Sequence, residues 1–367
     1  MLKRFCVENF KNFQEKIIFD LSQPCNYEFN TEVVADGCLT KGIIYGPNGS
    51  GKSNLGLALF DIIFHLTDKQ KKIKKYDNYT NMNSSKSYAE FEYTFWFCEK
   101  ELVYRYRKTD VQTLLDEHLY INGEEVIYYD FTKNEGFTKL KGTETLNIIA
   151  SNSPLSRVKF VRNNAILAED KKNEIFQQFM DFVEHMLLFY SLDERGYQGF
   201  SVGSGSIAEG IINSGHVEDF EKFLNSQGVK YSLYVKEIDE QKMLYCKFDR
   251  QDVNFFSIAS TGTSSLALFY YWYIKMKEVS FVFIDEFDAF YHFELAESIV
   301  KLLCSLEKTQ IFLTTHNTDL MSNDLLRPDC YFIIDNKKIS PISMLTDKEL
   351  RKAHNLQKMY KAGAFNE

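Results

Sequence analysis

The alternation of apolar and polar residues predicts antiparallel strands over much of the first 140 residues. Residues 88–107 alternate with a period of two (YAEFEYTFWF, then ELVYRYR), which is typical of strands with one buried face. A further hairpin is predicted over 118–127 around Asn122-Gly123, because this dipeptide favours a tight turn between two strands. Two shorter strands are expected at 2–7 and 15–21. We therefore expect an antiparallel β subdomain in this part of the chain.

Residues 141–228 have a different pattern, in which apolar residues recur at helical spacing. A helix is predicted over 173–188 and a second, shorter helix over 217–224. Between them lies the glycine-rich stretch 195–210, and strand alternation returns only at 231–248. The pattern thus predicts a mostly helical insertion at 141–228.

From residue 253 onward, apolar runs of helix length alternate with runs of strand length, as they do in α/β proteins. The expected helices are 263–277, 291–305 and 317–325, and the expected strands are 280–284, 310–314 and 330–335. An earlier unit of the same kind consists of a buried strand at 42–45 and a helix at 53–66. The expected fold class is therefore α/β, with an antiparallel β subdomain and a mostly helical insertion.

The composition is that of a folded protein, because 44% of the 367 residues are hydrophobic and 26% are charged. The longest apolar run, 266–274, has nine residues, whereas a membrane helix needs about 20, so no membrane span is expected. The first residues lack an apolar signal segment. The seven cysteines are odd in number and form no C-x-x-C pair, which is typical of reduced cysteines in a cytoplasmic protein.

The charge distribution bears on the choice of partners. The net charge of −8 argues against a dedicated binder of polyanions. Residues 69–75 nevertheless hold five lysines. Such a run is typical of a solvated helix end, and a patch for nucleic acid or a partner protein is the alternative. We therefore expect nucleic acid to bind weakly at most.

A glycine-rich motif follows the strand at 42–45. Residues 46–53 are GPNGSGKS, which matches G-x-x-x-x-G-K-[ST] in the required place between a strand and a helix. In such a P-loop the backbone N–H groups and the helix N-terminus face the phosphates of a nucleoside triphosphate. The lysine reaches the β- and γ-phosphates, and the hydroxyl of the last residue holds Mg²⁺. The residues assigned to the nucleotide and metal are Asn48, Gly49, Ser50, Gly51, Lys52 and Ser53.

Acidic residues and a histidine follow two later strands. The apolar run at 281–284 ends in Asp285 and Glu286, which predicts an acidic strand neighbouring the P-loop strand. Asp285 would bind the metal directly or through water, and Glu286 would act as general base on the attacking water. His316 follows the strand at 310–314, where it could hydrogen-bond the γ-phosphate or that water. Alone, these residues are an ordinary strand end and an ordinary histidine; beside a P-loop they predict catalysis.

A Ser-x-Gly sequence opens the helix predicted at 263–277. Ser260 could be an ordinary helix N-cap. Ser260 and Gly262 at a helix N-terminus, upstream of the acidic strand, also match the way one ATPase subunit donates hydrogen bonds to the γ-phosphate held by its partner. We favour the second interpretation.

In this order the motifs resemble the ABC-type ATPases, and within them the branch of the chromosome-maintenance (SMC), RecF and OLD-like proteins. The opening LKRFCVENFKNFQEKIIFDL is similar to the first strands of that branch, and the resemblance implies that Lys11 contacts phosphate. The later segments DEFDAFYHFEL, LTTH and LRKAHNLQKMYKAGAF look like compact ATPases of prokaryotic anti-phage defence operons. The resemblance covers about 1–66 and 250–363.

The resemblance implies an ATP- and Mg²⁺-dependent switch that dimerises head to tail, or forms a larger homo-oligomer, and controls a separately encoded effector such as a nuclease or toxin. It implies a first ATPase lobe at 1–140, the insertion at 141–228, a second lobe at 229–345 and a helical tail at 346–367. A RecF-like DNA-repair ATPase is the main alternative; a transporter subunit and a hexameric motor are less favoured. The signature is ASTGT in place of LSGGQ, so only Ser260 and Gly262 carry over.

Overall fold

Two seven-stranded sheets form the framework of the protein. The computed structural model describes residues 1–69, 73–149, 154–190, 196–199, 207–238, 240–289, 291–335 and 337–365. The strands in chain order are β1 (Leu2–Glu8), β2 (Ile17–Asp20), β3 (Val34–Ala35), β4 (Cys38–Leu39), β5 (Lys41–Tyr45), β6 (Ala89–Phe97), β7 (Lys100–Lys108), β8 (Leu114–Ile121), β9 (Glu124–Asp130), β10 (Glu135–Thr138), β11 (Met186–Tyr190), β12 (Gly196–Gly199), β13 (Leu233–Ile238), β14 (Gln241–Cys246), β15 (Val253–Asn254), β16 (Phe281–Asp285), β17 (Gln310–Thr314), β18 (Tyr331–Ile334) and β19 (Ile339–Pro341).

Helices connect and cover the strands. They are α1 (Lys52–Leu59), α2 (Ile62–Leu66), α3 (Arg157–Asn164), α4 (Lys171–Glu184), α5 (Ile207–Asn213), α6 (Val217–Ser226), α7 (Phe255–Ile258), α8 (Thr261–Tyr273), α9 (Phe293–Cys304) and α10 (Leu356–Lys361). None of the helices in the described ranges is long and apolar enough to cross a membrane.

The antiparallel β subdomain expected from the sequence is confirmed. Its strands pair in the order β10-β9-β8-β7-β6-β1-β2. At the predicted hairpin turn, Asn122 and Gly123 both have positive φ (49° and 80°), which is the conformation that matches the twist of the paired strands. The Gln310 side chain joins this sheet to the second one: its amide donates to the Leu2 carbonyl (2.9 Å), and its oxygen accepts from the Leu2 N–H (2.7 Å).

The second sheet has a parallel centre and confirms the expected α/β fold. Its order is β12-β11-β16-β17-β5-β18-β19, and β11, β16, β17, β5 and β18 are parallel. The sequence predicted that the acidic strand β16 would neighbour the P-loop strand β5. This prediction was wrong, because β17 lies between them. The carboxyl ends of these strands share one edge, and loops from all three meet there.

The insertion contains helices, but one predicted helix was partly wrong. Helix α4 ends at Glu184, and residues 186–188, expected to continue it, belong to strand β11 beside β16. The run is apolar throughout, and Met186, Leu187 and Leu188 are buried. A short continuous apolar run has the same periodicity signal in a buried strand as in a buried helix, so the pattern did not separate them. The domain limits at 140, 228 and 345 stay predictions.

The largest other differences concern the helices predicted at 53–66 and 317–325 and the helical tail. The helix at 53–66 is interrupted after Leu59, where the Asp61 N–H bonds to the Ala58 carbonyl in a tighter turn. The helix at 317–325 is only a 3₁₀ turn, Thr318–Leu320, with the Asn317 side chain accepting from the Asp319 N–H. In the C-terminal tail at 346–367, the helical part of the described residues is α10.

Candidate nucleotide-binding site

The P-loop connects β5 to α1 at the carboxyl edge of the parallel strands. Gly51, with φ at 105°, directly precedes the helix, in a conformation that residues with a Cβ rarely adopt. A Cβ at this position would lie 2.6 Å from both the Asn12 amide and the Phe13 ring. Glycine is therefore required here by its backbone conformation and by the close packing of residues 9–13, which we call the NFKNF turn.

Helix α1 is held against the parallel sheet by a second close approach. Gly56 lies against β16, where a Cβ would be 2.8 Å from the Phe283 ring. Leu55, Ala58 and Leu59 on the same helix are fully buried. The N-terminus of α1 is thus fixed relative to the strand that carries the acidic pair.

The structure brings Lys52 together with His316. Lys52 is 6% exposed, and its Nζ donates to the Gly46 carbonyl (2.8 Å) and lies 2.9 Å from His316 Nε2. Burial lowers the pKa of Lys52, and the carboxylates of Glu286 and Asp285 oppose that shift. The P-loop lysine, the histidine and the acidic pair predicted from separate motifs therefore form one cluster.

The acidic pair lies at the end of β16 in an unusual backbone conformation. Glu286 has φ at 46°, in the left-handed region that non-glycine residues rarely adopt. Burial raises the pKa of the Glu286 carboxyl, and the neighbouring Asp285 carboxylate adds to the effect. A carboxylate with a raised pKa accepts a proton more readily, as a general base must.

Two threonines that follow in β17 and its loop were missed by the sequence analysis. The Thr314 hydroxyl donates to Asp285 Oδ1 and accepts from the Glu286 N–H, both at 2.7 Å. The Thr315 hydroxyl donates to Asp288 Oδ1 (2.7 Å), and burial raises the pKa of Asp288. Their position just before His316 was visible in the sequence, but the contacts join residues nearly 30 positions apart.

The chemistry of the donors fits Mg²⁺. Ser53 is an exposed residue in the first turn of α1, and Asp285 is partly exposed at the end of β16. Among the described residues no group of three or more His, Cys, Asp or Glu side chains could hold a metal ion alone. Magnesium in nucleotide sites needs only one or two protein oxygens, since phosphates and water supply the rest. Ser53 and Asp285 would therefore suffice.

The NFKNF turn lies beside the P-loop, but Lys11 points to another group. Its Nζ donates to the Asp77 carbonyl (2.9 Å), and burial lowers its pKa. Asn12 is the residue of this turn that contacts helix α1, because its Oδ1 accepts from the Asn54 amide (2.6 Å). The phosphate role of Lys11 stays a prediction, and Asn12 was overlooked although it belongs to the same motif.

Ser260 is the N-cap of α8. Ser260 is an exposed residue, and its hydroxyl accepts from the Thr263 N–H (3.1 Å) and lies 2.9 Å from the Thr263 hydroxyl. Gly262 follows in the first turn. The ordinary capping role is thus present, and the role across a subunit interface remains a proposal.

The lysine run at 69–75 falls partly outside the described residues, which omit Lys71 and Lys72. Lys69 forms an ion pair with Glu184 (2.8 Å), and Lys74 lies in the 3₁₀ turn Ile73–Tyr76. At least one of the five lysines is thus engaged within the protein.

Comparison with known proteins gives one family and several similar folds. The family model described as "AAA domain, putative AbiEii toxin, Type IV TA system" matches residues 43–322. The SMC head domain from Thermotoga maritima is 18% identical, with 93% of this chain and 98% of that chain covered and a TM-score of 0.46. The Smc head domain with an extended coiled coil bound to the C-terminal domain of ScpA, from Pyrococcus furiosus, is 14% identical, with 92% and 95% covered and a TM-score of 0.48. No curated protein matched the chain.

Proposed function

The chain belongs to the family of AAA domains described as putative AbiEii toxins of type IV toxin–antitoxin systems, and we propose that it is an ATP-hydrolysing molecular switch. One observation carries the proposal. Lys52, His316 and the acidic pair Asp285-Glu286 come from three different elements and meet at one edge of the parallel sheet. A P-loop lysine, a metal-binding aspartate and a base beside it are the groups that phosphoryl transfer to water requires.

In this proposal each side chain has a separate task. Lys52 exchanges its contacts with the Gly46 carbonyl and His316 for the β- and γ-phosphates of ATP. Glu286 accepts a proton from the attacking water, and His316, released from Lys52, donates a hydrogen bond to the γ-phosphate. Mg²⁺, when held by Ser53 and Asp285, would neutralise charge on the phosphates.

We further propose that two copies bind head to tail around ATP, with Ser260 and Gly262 of one copy facing the P-loop of the other. The position of Ser260 and Thr261 supports this arrangement, since both residues are exposed at the start of α8 and a helix N-terminus attracts a phosphate. A single subunit would then hold only part of the groups that stabilise the transition state, and should turn over slowly.

Two substitutions test the catalytic assignment. Glu286→Gln should bind ATP but hydrolyse it about 10²–10⁴-fold more slowly, because the base acts on the chemical step and contributes little to ground-state binding. ATP should shift this variant to a dimer or a larger assembly. Lys52→Ala should lose ATP binding itself. ATP titration, phosphate release and light scattering measure these effects, and full turnover by Glu286→Gln would remove the base assignment.

Mixing two inactive variants tests the shared site. Ser260→Arg and Lys52→Ala should each be inactive alone, while their mixture should regain activity, because one site of a mixed dimer has both intact halves. Thr261→Arg, changed at the exposed neighbouring position, is the matched control for a charge at this helix end. If no mixing ratio exceeds the separate variants, Ser260 is only a helix cap.

The cellular output that we propose is control of a separately encoded effector, a nuclease or another toxin, in cytoplasmic defence against phage. The family description, which names a toxin–antitoxin system, supports a partner chain. Co-purification of the product of the neighbouring reading frame with Glu286→Gln, with and without ATP, tests it. Retention of that product that does not respond to ATP would contradict a switch.

A further inference from the structure

A single hydroxyl in the second sheet, the one with the parallel centre, joins the two acidic residues of the proposed site. Thr314 is the last residue of β17 and is fully buried. Its Oγ1 lies 2.7 Å from Asp285 Oδ1 and 2.7 Å from the Glu286 backbone N. Because β17 separates β16 from the P-loop strand, Thr314 stands between the acidic pair and the P-loop side of the sheet.

The direction of these hydrogen bonds is determined by the partners. An ionised carboxylate only accepts, and a backbone N–H only donates. The Thr314 hydroxyl must therefore give its one proton to Asp285 and accept the Glu286 N–H. Asp285 and the Glu286 backbone are consequently held by the same oxygen, so neither can shift without disturbing the other.

The backbone of Thr314 reinforces the arrangement. Its carbonyl accepts from the Phe287 N–H (3.1 Å), so two successive backbone N–H groups, those of Glu286 and Phe287, donate to Thr314. Glu286 has φ at 46°, a conformation that persists only where the surroundings impose it. The hydrogen bonds that Thr314 accepts from the Glu286 and Phe287 N–H groups hold this conformation here.

We propose that Thr314 is a positioning residue, which fixes the metal-binding carboxylate of Asp285 and the base Glu286 relative to each other. This inference rests on the proposed ATPase function. Thr314 touches neither phosphate nor water in this role and acts through its two neighbours. Its loss should therefore slow the chemical step and leave ATP binding by the P-loop largely intact.

The test uses the full chain with Thr314→Val, which keeps the shape and removes the hydroxyl, and Thr314→Ser, which keeps the hydroxyl. Thr314→Val should lower kcat about 10- to 100-fold, as small displacements of catalytic groups do, with little change in KM or in the Kd for ATP. Thr314→Ser should stay within about threefold of the parent. If Thr314→Val does not fold, Thr314→Ala takes its place.

Thr309→Val is the matched control. Thr309 is also a buried threonine and directly precedes β17, at the end opposite Thr314. Its hydroxyl lies 2.9 Å from the carbonyls of Met276 and Val279, which share its one proton. This variant should lose stability but keep its turnover. A second readout is the double variant: Thr314→Val should cause a smaller loss in Glu286→Gln than in the parent, since Thr314 acts in part through the Glu286 carboxylate.

Two results would overturn the inference while leaving the ATPase in place. One is a kcat of Thr314→Val within about twofold of that of the parent, while Glu286→Gln is inactive. The other is equal damage by Thr314→Val and Thr314→Ser, with loss of ATP binding and additive effects on Glu286→Gln, which would show a structural role only. A parent chain that does not hydrolyse ATP would instead refute the proposed function.

Discussion

The left-handed backbone at Glu286 predicts an unusual order of stability for two inactive variants. At most positions glycine is less stable than alanine, because it gains more freedom in the unfolded chain. At φ of 46° a residue with a Cβ costs about 1–2 kcal/mol, whereas glycine adopts this conformation freely. We therefore expect Glu286→Gly to be more stable than Glu286→Ala.

The size of the difference follows from two opposing contributions. Relief of about 1–2 kcal/mol of backbone strain is offset by about 0.4–1 kcal/mol of added unfolded-state entropy, which leaves a net gain of about 1 kcal/mol for glycine. For a chain of 367 residues, 1 kcal/mol shifts Tm by about 1.3 °C. Both variants lack the carboxylate, so their comparison isolates the backbone from the charge.

The assay is thermal unfolding without nucleotide, supported by urea titration. Lys222, exposed in the middle of α6, provides the matched control, because Lys222→Gly there should be less stable than Lys222→Ala by about 1 kcal/mol. Opposite orders at the two positions would confirm the strain. The same order at both, with alanine the more stable residue, would refute the strained backbone at Glu286 and weaken the role given to Thr314.

Three further predictions concern the rest of the chain. Lys108→Met should lower the free energy of unfolding by about 3–5 kcal/mol in urea titration, since it leaves the Asp61 carboxylate of a fully buried ion pair without its cation, and Lys108→Met/Asp61→Asn should recover part of the loss. Burial lowers the pKa of Lys41 to about 8 from an unfolded value of 10.5, so between these pH values the unfolded state keeps a proton that the folded state has released. The free energy of unfolding, relative to that of Lys41→Met, should therefore rise by about 2 kcal/mol from pH 7.5 to 9.5. A difference between the two proteins that stays constant with pH in urea titrations would contradict the shift. Duplex DNA should bind weakly at physiological salt, as measured by fluorescence anisotropy. Each lysine–phosphate contact contributes only about −0.9 to the slope of log K against log salt concentration, and the lysines at 69–75 are few. Tight binding that is lost in a variant with glutamine at four of these lysines would make DNA repair the leading function. Lys69 stays unchanged there because it pairs with Glu184, so the four are Lys71, Lys72, Lys74 and Lys75.

The groups of the candidate site were largely predictable from the sequence by itself. The P-loop is a continuous motif whose chemistry resides in neighbouring residues, so Lys52 and Ser53 could be assigned without knowing the fold. Asp285 and His316 each follow a short apolar run, and the ends of such strands gather at one edge of a parallel sheet. The alternation at 88–107 also predicted correctly that one face of these strands is buried, because strict alternation of apolar and polar residues is typical of a half-buried strand.

The tertiary structure alone decided how these parts are arranged. Strand β17 stands between β5 and β16, and β11 joins the same sheet, although its apolar run resembled a helix end. Asn12 contacts Asn54 of α1, which is 42 positions away in the chain. Thr314 contacts Glu286 and Asp285, which are 28 and 29 positions away. Sequence patterns record local periodicity and which faces are buried, whereas strand order and cross-strand hydrogen bonds arise from pairing between distant segments, whose energies depend on the assembled core.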